Sequence, residues 1–107
     1  MKMNTEKAKQ ALNSIIARLN SLYMDDVLDD GCDSHDEEQN RNYVCINREI
    51  NSINEELAGY DFEEMSSEEC DRIWKDSWNG YTDVHLPEVK YNHAIEYANR
   101  LLTLLNK

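Results

Sequence analysis

Between Thr5 and Tyr23 the apolar residues Ala8, Ala11, Leu12, Ile15, Ile16, Leu19, Leu22 and Tyr23 recur at helical spacing. They form a broad stripe on one side of a 3.6-residue repeat, which predicts a helix packed into a core. Thr5 is the expected N-cap, because a side-chain oxygen at that point can accept a first-turn backbone N–H. A second, narrower pattern follows. Tyr43, Ile46, Ile50, Ile53 and Leu57 are separated by 3, 4, 3 and 4 residues, a heptad seam of the kind found in helical hairpins and coiled coils. It predicts a helix from Asp36 to Ala58. Ser34 and Glu37 have the spacing of a capping box at its start. Gly59 is the expected stop, as a residue free to adopt the left-handed conformation. The two turns before Tyr43 are polar, so the start of this helix is expected to project beyond the core.

The third pattern is short. Cys70, Ile73, Trp74 and Trp78 share one side of a helix predicted from Ser67 to Trp78. Ser66 and Glu69 offer a capping box with Ser67 as a competing cap, and Asn79-Gly80 is a stop signal. Pro87 suits the first turn of a last helix running to Leu105. Its expected core face is Val89, Ala94, Tyr97, Leu101, Leu104 and Leu105, with Ala98 and Leu102 at the margin. Breaks are expected near residues 25–34, 59–66 and 79–87. The resulting fold class is all-α: a compact four-helix bundle of two helical hairpins, residues 1–60 and 61–107, with a short third helix. The 107 residues suit one domain, with no internal repeat and no flexible linker.

Composition agrees with the pattern. Three Gly and one Pro are too few for the turns of a sandwich or barrel. Charge changes the picture more. With 22 acids against 11 bases, the formal net charge is −11. Nucleic acid and anionic membranes are poor partners for such a chain, since both are bound through Lys and Arg. Basic protein surfaces are better ones. The residues after Met1 contain no apolar run suited to a signal peptide, and no window approaches membrane-spanning length. Cys32, Cys45 and Cys70 are odd in number and widely spaced, as expected for free thiols in a reducing compartment. A cytosolic location is the expectation.

The acids are unevenly placed. The stretch "YMDDVLDDGCDSHDEEQN", Tyr23 to Asn40, holds eight carboxylates and no Lys or Arg: Asp25, Asp26, Asp29, Asp30, Asp33, Asp36, Glu37 and Glu38. The last four sit at or near a helix N-terminus, where the macrodipole favours negative charge. Asp25, Asp26, Asp29 and Asp30 follow a helix C-terminus, where it favours Lys or Arg. Their mutual repulsion opposes folding, and a cation or a cationic partner would relieve it. A second acidic run, "DFEEMSSEECD" from Asp61 to Asp71, follows the Gly59 turn; its Glu68, Glu69 and Asp71 are mostly explained by the start of the third helix. In an up-down bundle the two runs mark opposite poles, joined along one face through Glu49, Glu55 and Glu56.

Several specific chemistries can be laid on these residues. Aligned on Gly31 as the sixth position, the segment Asp26–Glu37 resembles an EF-hand loop, with Asp26 first, Asp30 fifth, Ser34 ninth and Glu37 twelfth. The resemblance implies calcium binding between flanking helices. Leu28 departs from it at the third position, where a ligand oxygen is needed, and Asp33 departs at the eighth. Cys32 and His35 form one poor zinc pair, with Cys45, Cys70, His85 and His93 as scattered singles. Cys45 and Cys70 are more simply small core residues. Ser34-His35-Asp36 is contiguous, whereas a triad needs side chains converging from separate elements. Glu37, Glu38, Glu68 and Asp71 imitate the magnesium-holding acids of helical nucleotide pyrophosphatases, without the full i,i+3 pairing. Trp74 and Trp78 lie among acids rather than bases, so core packing suits them better than base stacking. The Tyr43–Leu57 seam is open to pairing with its own copy in a homodimer.

The expectation is a non-enzymatic protein without cofactor that engages a basic surface of a partner protein. The eight acids from Asp25 to Glu38 are its expected docking residues. In composition the chain is similar to anti-CRISPR and anti-restriction proteins that act as DNA mimics: small, acidic and without catalytic motifs. That likeness implies a phage or mobile-element inhibitor of a nucleic-acid-binding defence enzyme, its carboxylates standing in for phosphates. Alternatives are a metal-dependent protein (calcium binder or nucleotide pyrophosphohydrolase) and an immunity protein or antitoxin against a basic toxin.

Overall fold

A computed structural model describes residues 2–22, 37–84 and 86–106 (backbone only at 37–40 and 42). They form four helices: α1 Thr5–Asn20, α2 Glu37–Ala58, α3 Ser67–Asp76 and α4 Pro87–Leu105. The all-α bundle expected from the periodicity is the observed fold. The only extended pairing among the described residues is an isolated parallel bridge between Met3 and Phe62. It is made by Met3 N–H donating to the Asp61 carbonyl at 2.8 Å and Glu63 N–H donating to the Met3 carbonyl at 2.9 Å. This bridge sets the start of α1 beside the end of α2, as an antiparallel pair requires. Cys70 and Trp74 of α3 likewise face Tyr97 and His93 of α4, so these two run antiparallel.

The helix ends differ in detail from the expected caps. Asn4, not Thr5, caps α1: its backbone is extended and its Oδ1 accepts the Lys7 N–H at 2.9 Å. Thr5 is already helical, and its hydroxyl is buried without a partner among the described residues. Helix α1 stops at Asn20, three residues before Tyr23. There Ser21 satisfies the last turn, its Oγ donating to the Arg18 carbonyl at 2.7 Å. Ser66 does cap α3, accepting the Glu69 N–H at 3.1 Å, and Ser67 is the first helical residue. Gly59 is not left-handed. Its N–H is shared between the Glu55 and Glu56 carbonyls, each at 3.2 Å, so α2 ends without the conformation that favours glycine. That conformation occurs instead at Asn79 and Gly80, φ 54° and 79°. They turn the chain after α3, which ends two residues before the expected Trp78.

The core gathers on α4, which packs against each of the other three helices. Ala8, Leu12, Ile15 and Leu19 of α1 meet Ile53 and Leu57 of α2 and Ala94, Tyr97, Ala98, Leu101 and Leu105 of α4, with Phe62 beneath them. A smaller cluster, Ile46 and Ile50, is covered by Leu22, Tyr43 and Tyr91. Ile50, Ile53 and Leu57 are fully buried by the chain's own helices, so this part of the seam is spent within one molecule and is not offered to a copy. Cys45 is exposed rather than in the core. It lies off the seam defined by Tyr43, Ile46 and Ile50, about 100° per residue around the helix.

Candidate functional site

Of the eight expected docking acids, Asp25, Asp26, Asp29, Asp30, Asp33 and Asp36 lie outside the described residues. The same holds for the proposed calcium loop's Leu28, Gly31 and Ser34, and for Cys32, His35 and His85. Glu37 and Glu38 occupy the first two positions of α2, where a helix N-terminus favours negative charge.

The acidic face expected to link the two poles is partly neutralised. Arg18 of α1 reaches across to α2, its two terminal nitrogens 2.8 Å from Glu49 and 2.7 Å from Glu56. Glu56 also accepts a hydrogen bond from the Tyr60 hydroxyl at 2.9 Å. The Arg18 guanidinium holds the Glu56 carboxyl below its ordinary range. Burial, followed by the bond to Glu56, pushes the Tyr60 phenol up to about 12. These ion pairs are substantially exposed and belong with surface pairs of small stabilising effect.

The second acidic run encloses a feature that periodicity did not announce. A cavity of about 340 Å³ opens between the end of α2, the Tyr60–Asp61 link, α3 and α4, lined by Ala58, Tyr60, Asp61, Ser67, Cys70, Asp71, Trp74 and Tyr97. Tyr97 is only 3% exposed, yet its hydroxyl is not sealed in and meets no hydrogen-bond partner among the described residues. Asp61 and Asp71 form no ion pair among those residues either. The cavity is electronegative. Burial, then the charges of Glu69, Asp61 and Asp71, push the Cys70 thiol up, which leaves it a neutral wall rather than a nucleophile. Burial also raises the Tyr97 phenol, reinforced by Cys70 and Asp71. The i,i+4 spacing of Cys70 and Trp74 put both on one side of α3. What the spacing did not contain was the approach of Tyr60 and Asp61 from the link.

Next to the cavity lies an aromatic stack built on His93, a residue weighed above only as a scattered zinc ligand. It is 1% exposed. The Val89, His93, Tyr97, Leu101 series runs at intervals of four and was the available signal for its burial. Its ring lies flat on Trp78, centroids 3.7 Å apart and 12° from parallel, and meets Trp74 edge-on at 4.2 Å. Nδ1 is 2.9 Å from Asn54 Oδ1 and Nε2 is 3.1 Å from the Trp74 carbonyl oxygen. Asn54 is fixed in that orientation because its Nδ2 donates to the carbonyls of Ile50 and Lys90. Both ring nitrogens therefore face acceptors, and a neutral ring can donate to one of them at a time. Burial lowers the pKa to about 4, against a smaller opposing effect of the Trp74 carbonyl. Both tryptophans thus serve packing around a structural histidine.

Among the described residues no group of three or more His, Cys, Asp or Glu side chains is arranged to hold a metal ion, and no helix is long and apolar enough to cross a membrane. No family profile, curated protein or solved structure matches the chain.

Proposed function

We propose that this protein binds a basic surface of another protein and works by occupying that surface rather than by catalysis. The observation that carries the reading is charge. Of the formal net charge of −11, eight negative charges come from the eight acids from Asp25 to Glu38, a stretch without Lys or Arg. A second concentration runs from Asp61 to Asp71, and two of its acids, Asp61 and Asp71, line a cavity and form no ion pair among the described residues. Like charges brought close in the chain oppose folding modestly and strengthen attraction to a positive surface. The basic surfaces that best fit clustered carboxylates are those built for phosphates, so the sharper form of the proposal is an inhibitor of a nucleic-acid-binding enzyme. In that form the enzyme belongs to a host defence system and the inhibitor to a phage or mobile element, acting in the cytoplasm.

The test is affinity capture from a host lysate, identification of the retained proteins by mass spectrometry, and titration of the purified candidate at two salt concentrations. The expected result is a partner with a basic surface whose association slows steeply as salt rises and whose nucleic acid competes for binding. A partner bound with no salt dependence, or one bound through an apolar face, would overturn the proposal.

A further inference from the structure

We infer that the cavity between the Tyr60–Asp61 link, α3 and α4 receives the guanidinium group of an arginine side chain presented by a protein partner. The inference rests on the proposed function and names a site for it among the described residues.

Three independent features of the cavity point to that ligand. Asp61 and Asp71 both line it and make no ion pair among the described residues, so two charge-assisted acceptors are available. Tyr97, almost wholly buried, lines the cavity, and its hydroxyl makes no hydrogen bond among the described residues and is not sealed off, so it can accept from an entering donor. Trp74 and Tyr60 supply aromatic surface, which attracts cations through the ring quadrupole. The volume, about 340 Å³, falls at the lower end of small-ligand pockets, roughly 300–1,000 Å³. Guanidinium suits this lining better than ammonium. It is planar, stacks on rings, carries five donors for separated acceptors and is more weakly hydrated than a lysine head. Of the chain's own cations, Arg18 is held by Glu49 and Glu56, and Arg72 and Lys75 of α3 form no ion pair with Asp61 or Asp71 among the described residues.

The test is an NMR titration of the full-length protein with N-acetyl-arginine-methylamide, and in parallel with the citrulline analogue, which has similar shape and no charge. Saturable shifts are expected at the Trp74 indole N–H and the backbone amides of Asp61 and Asp71 with the arginine compound, and none with citrulline. The double variant Asp61→Asn, Asp71→Asn should weaken binding by roughly tenfold or more while retaining the wild-type helical circular dichroism. Two outcomes overturn the inference. In one, citrulline produces the same saturable shifts. In the other, arginine produces only unsaturable drifts spread over the acidic surface. The wild-type comparison decides the matter even if the double variant does not fold. Because the probe is arginine itself, failure here is distinguishable from failure to find a basic partner protein.

Discussion

Acid should weaken this protein through His93. The ring is 1% exposed and its pKa is lowered from 6.5 to about 4. In the unfolded chain it returns to the ordinary value near 6.5. Between those values the unfolded state binds more protons than the folded one, so stability rises with pH there. The contribution is whole above about pH 6.5, falls as the pH drops toward 4, and levels off below. A displacement of about 2.5 pH units at 1.36 kcal/mol each corresponds to about 3 kcal/mol, a large part of the ~5–15 kcal/mol typical of a domain. Acidification also lowers the size of the chain's net charge of −11, which relieves repulsion. The quantity to measure is therefore a difference. Urea unfolding of wild type and of His93→Gln should be followed at pH 7, 6, 5 and 4. The wild type should lose about 3 kcal/mol more than the variant between pH 7 and 4. The competing force is visible in the geometry: a doubly protonated ring would donate both to Asn54 Oδ1 and to the Trp74 carbonyl. If the wild type instead gains stability relative to the variant on acidification, those two acceptors outweigh burial and the reasoning is refuted.

Other expectations concern the fold. Ile50 is fully buried, so Ile50→Asp strands a charge in the core; a loss of several kcal/mol and a collapsed helical signal in circular dichroism are expected. Gly59 is not left-handed, and a Cβ there would meet only backbone oxygens at 3.6 and 3.7 Å, so Gly59→Ala should leave the melting temperature unchanged or raise it. Gly80 has φ +79°, and Gly80→Ala should lower stability by about 1 kcal/mol in the same assay. Ser66→Ala removes the acceptor for the Glu69 N–H and should cost about 1 kcal/mol in chemical unfolding.

The helices were legible because burial in a bundle is periodic. Ile46, Ile50, Ile53 and Leu57 could be assigned to a core without knowing what they touch. Which partner they touch was not legible, and the seam that suggested a homodimer is consumed by α4 within the same chain. Caps were legible where a second signal backs the choice, as at Ser66, which has the capping-box spacing to Glu69 although Ser67 competes. They were misread where no second signal separates adjacent candidates, as at Asn4 and Thr5, and where glycine's permissiveness is not used, as at Gly59. His93 falls in the i,i+4 series of Val89, Tyr97 and Leu101, yet it is not among the expected core-face residues and enters only as a scattered single for zinc. The hydrogen bonds that make its burial tolerable come from Asn54 and Trp74, 39 and 19 residues away. The cavity is illegible for the same reason, since its walls meet only after α2, the Tyr60–Asp61 link, α3 and α4 have packed.

The most direct test of the docking claim separates charge that binds from charge that supports a helix. Asp25, Asp26, Asp29 and Asp30 are replaced together by Asn, and the captured partner is titrated with wild type and variant at two salt concentrations. Stability should hold or rise, since mutual repulsion among four closely spaced like charges is removed. Partner association should slow, and the salt dependence should shrink. If the variant associates as fast and as tightly as wild type at both salt concentrations, the first acidic run is merely solvated, and its part in the proposed function is contradicted.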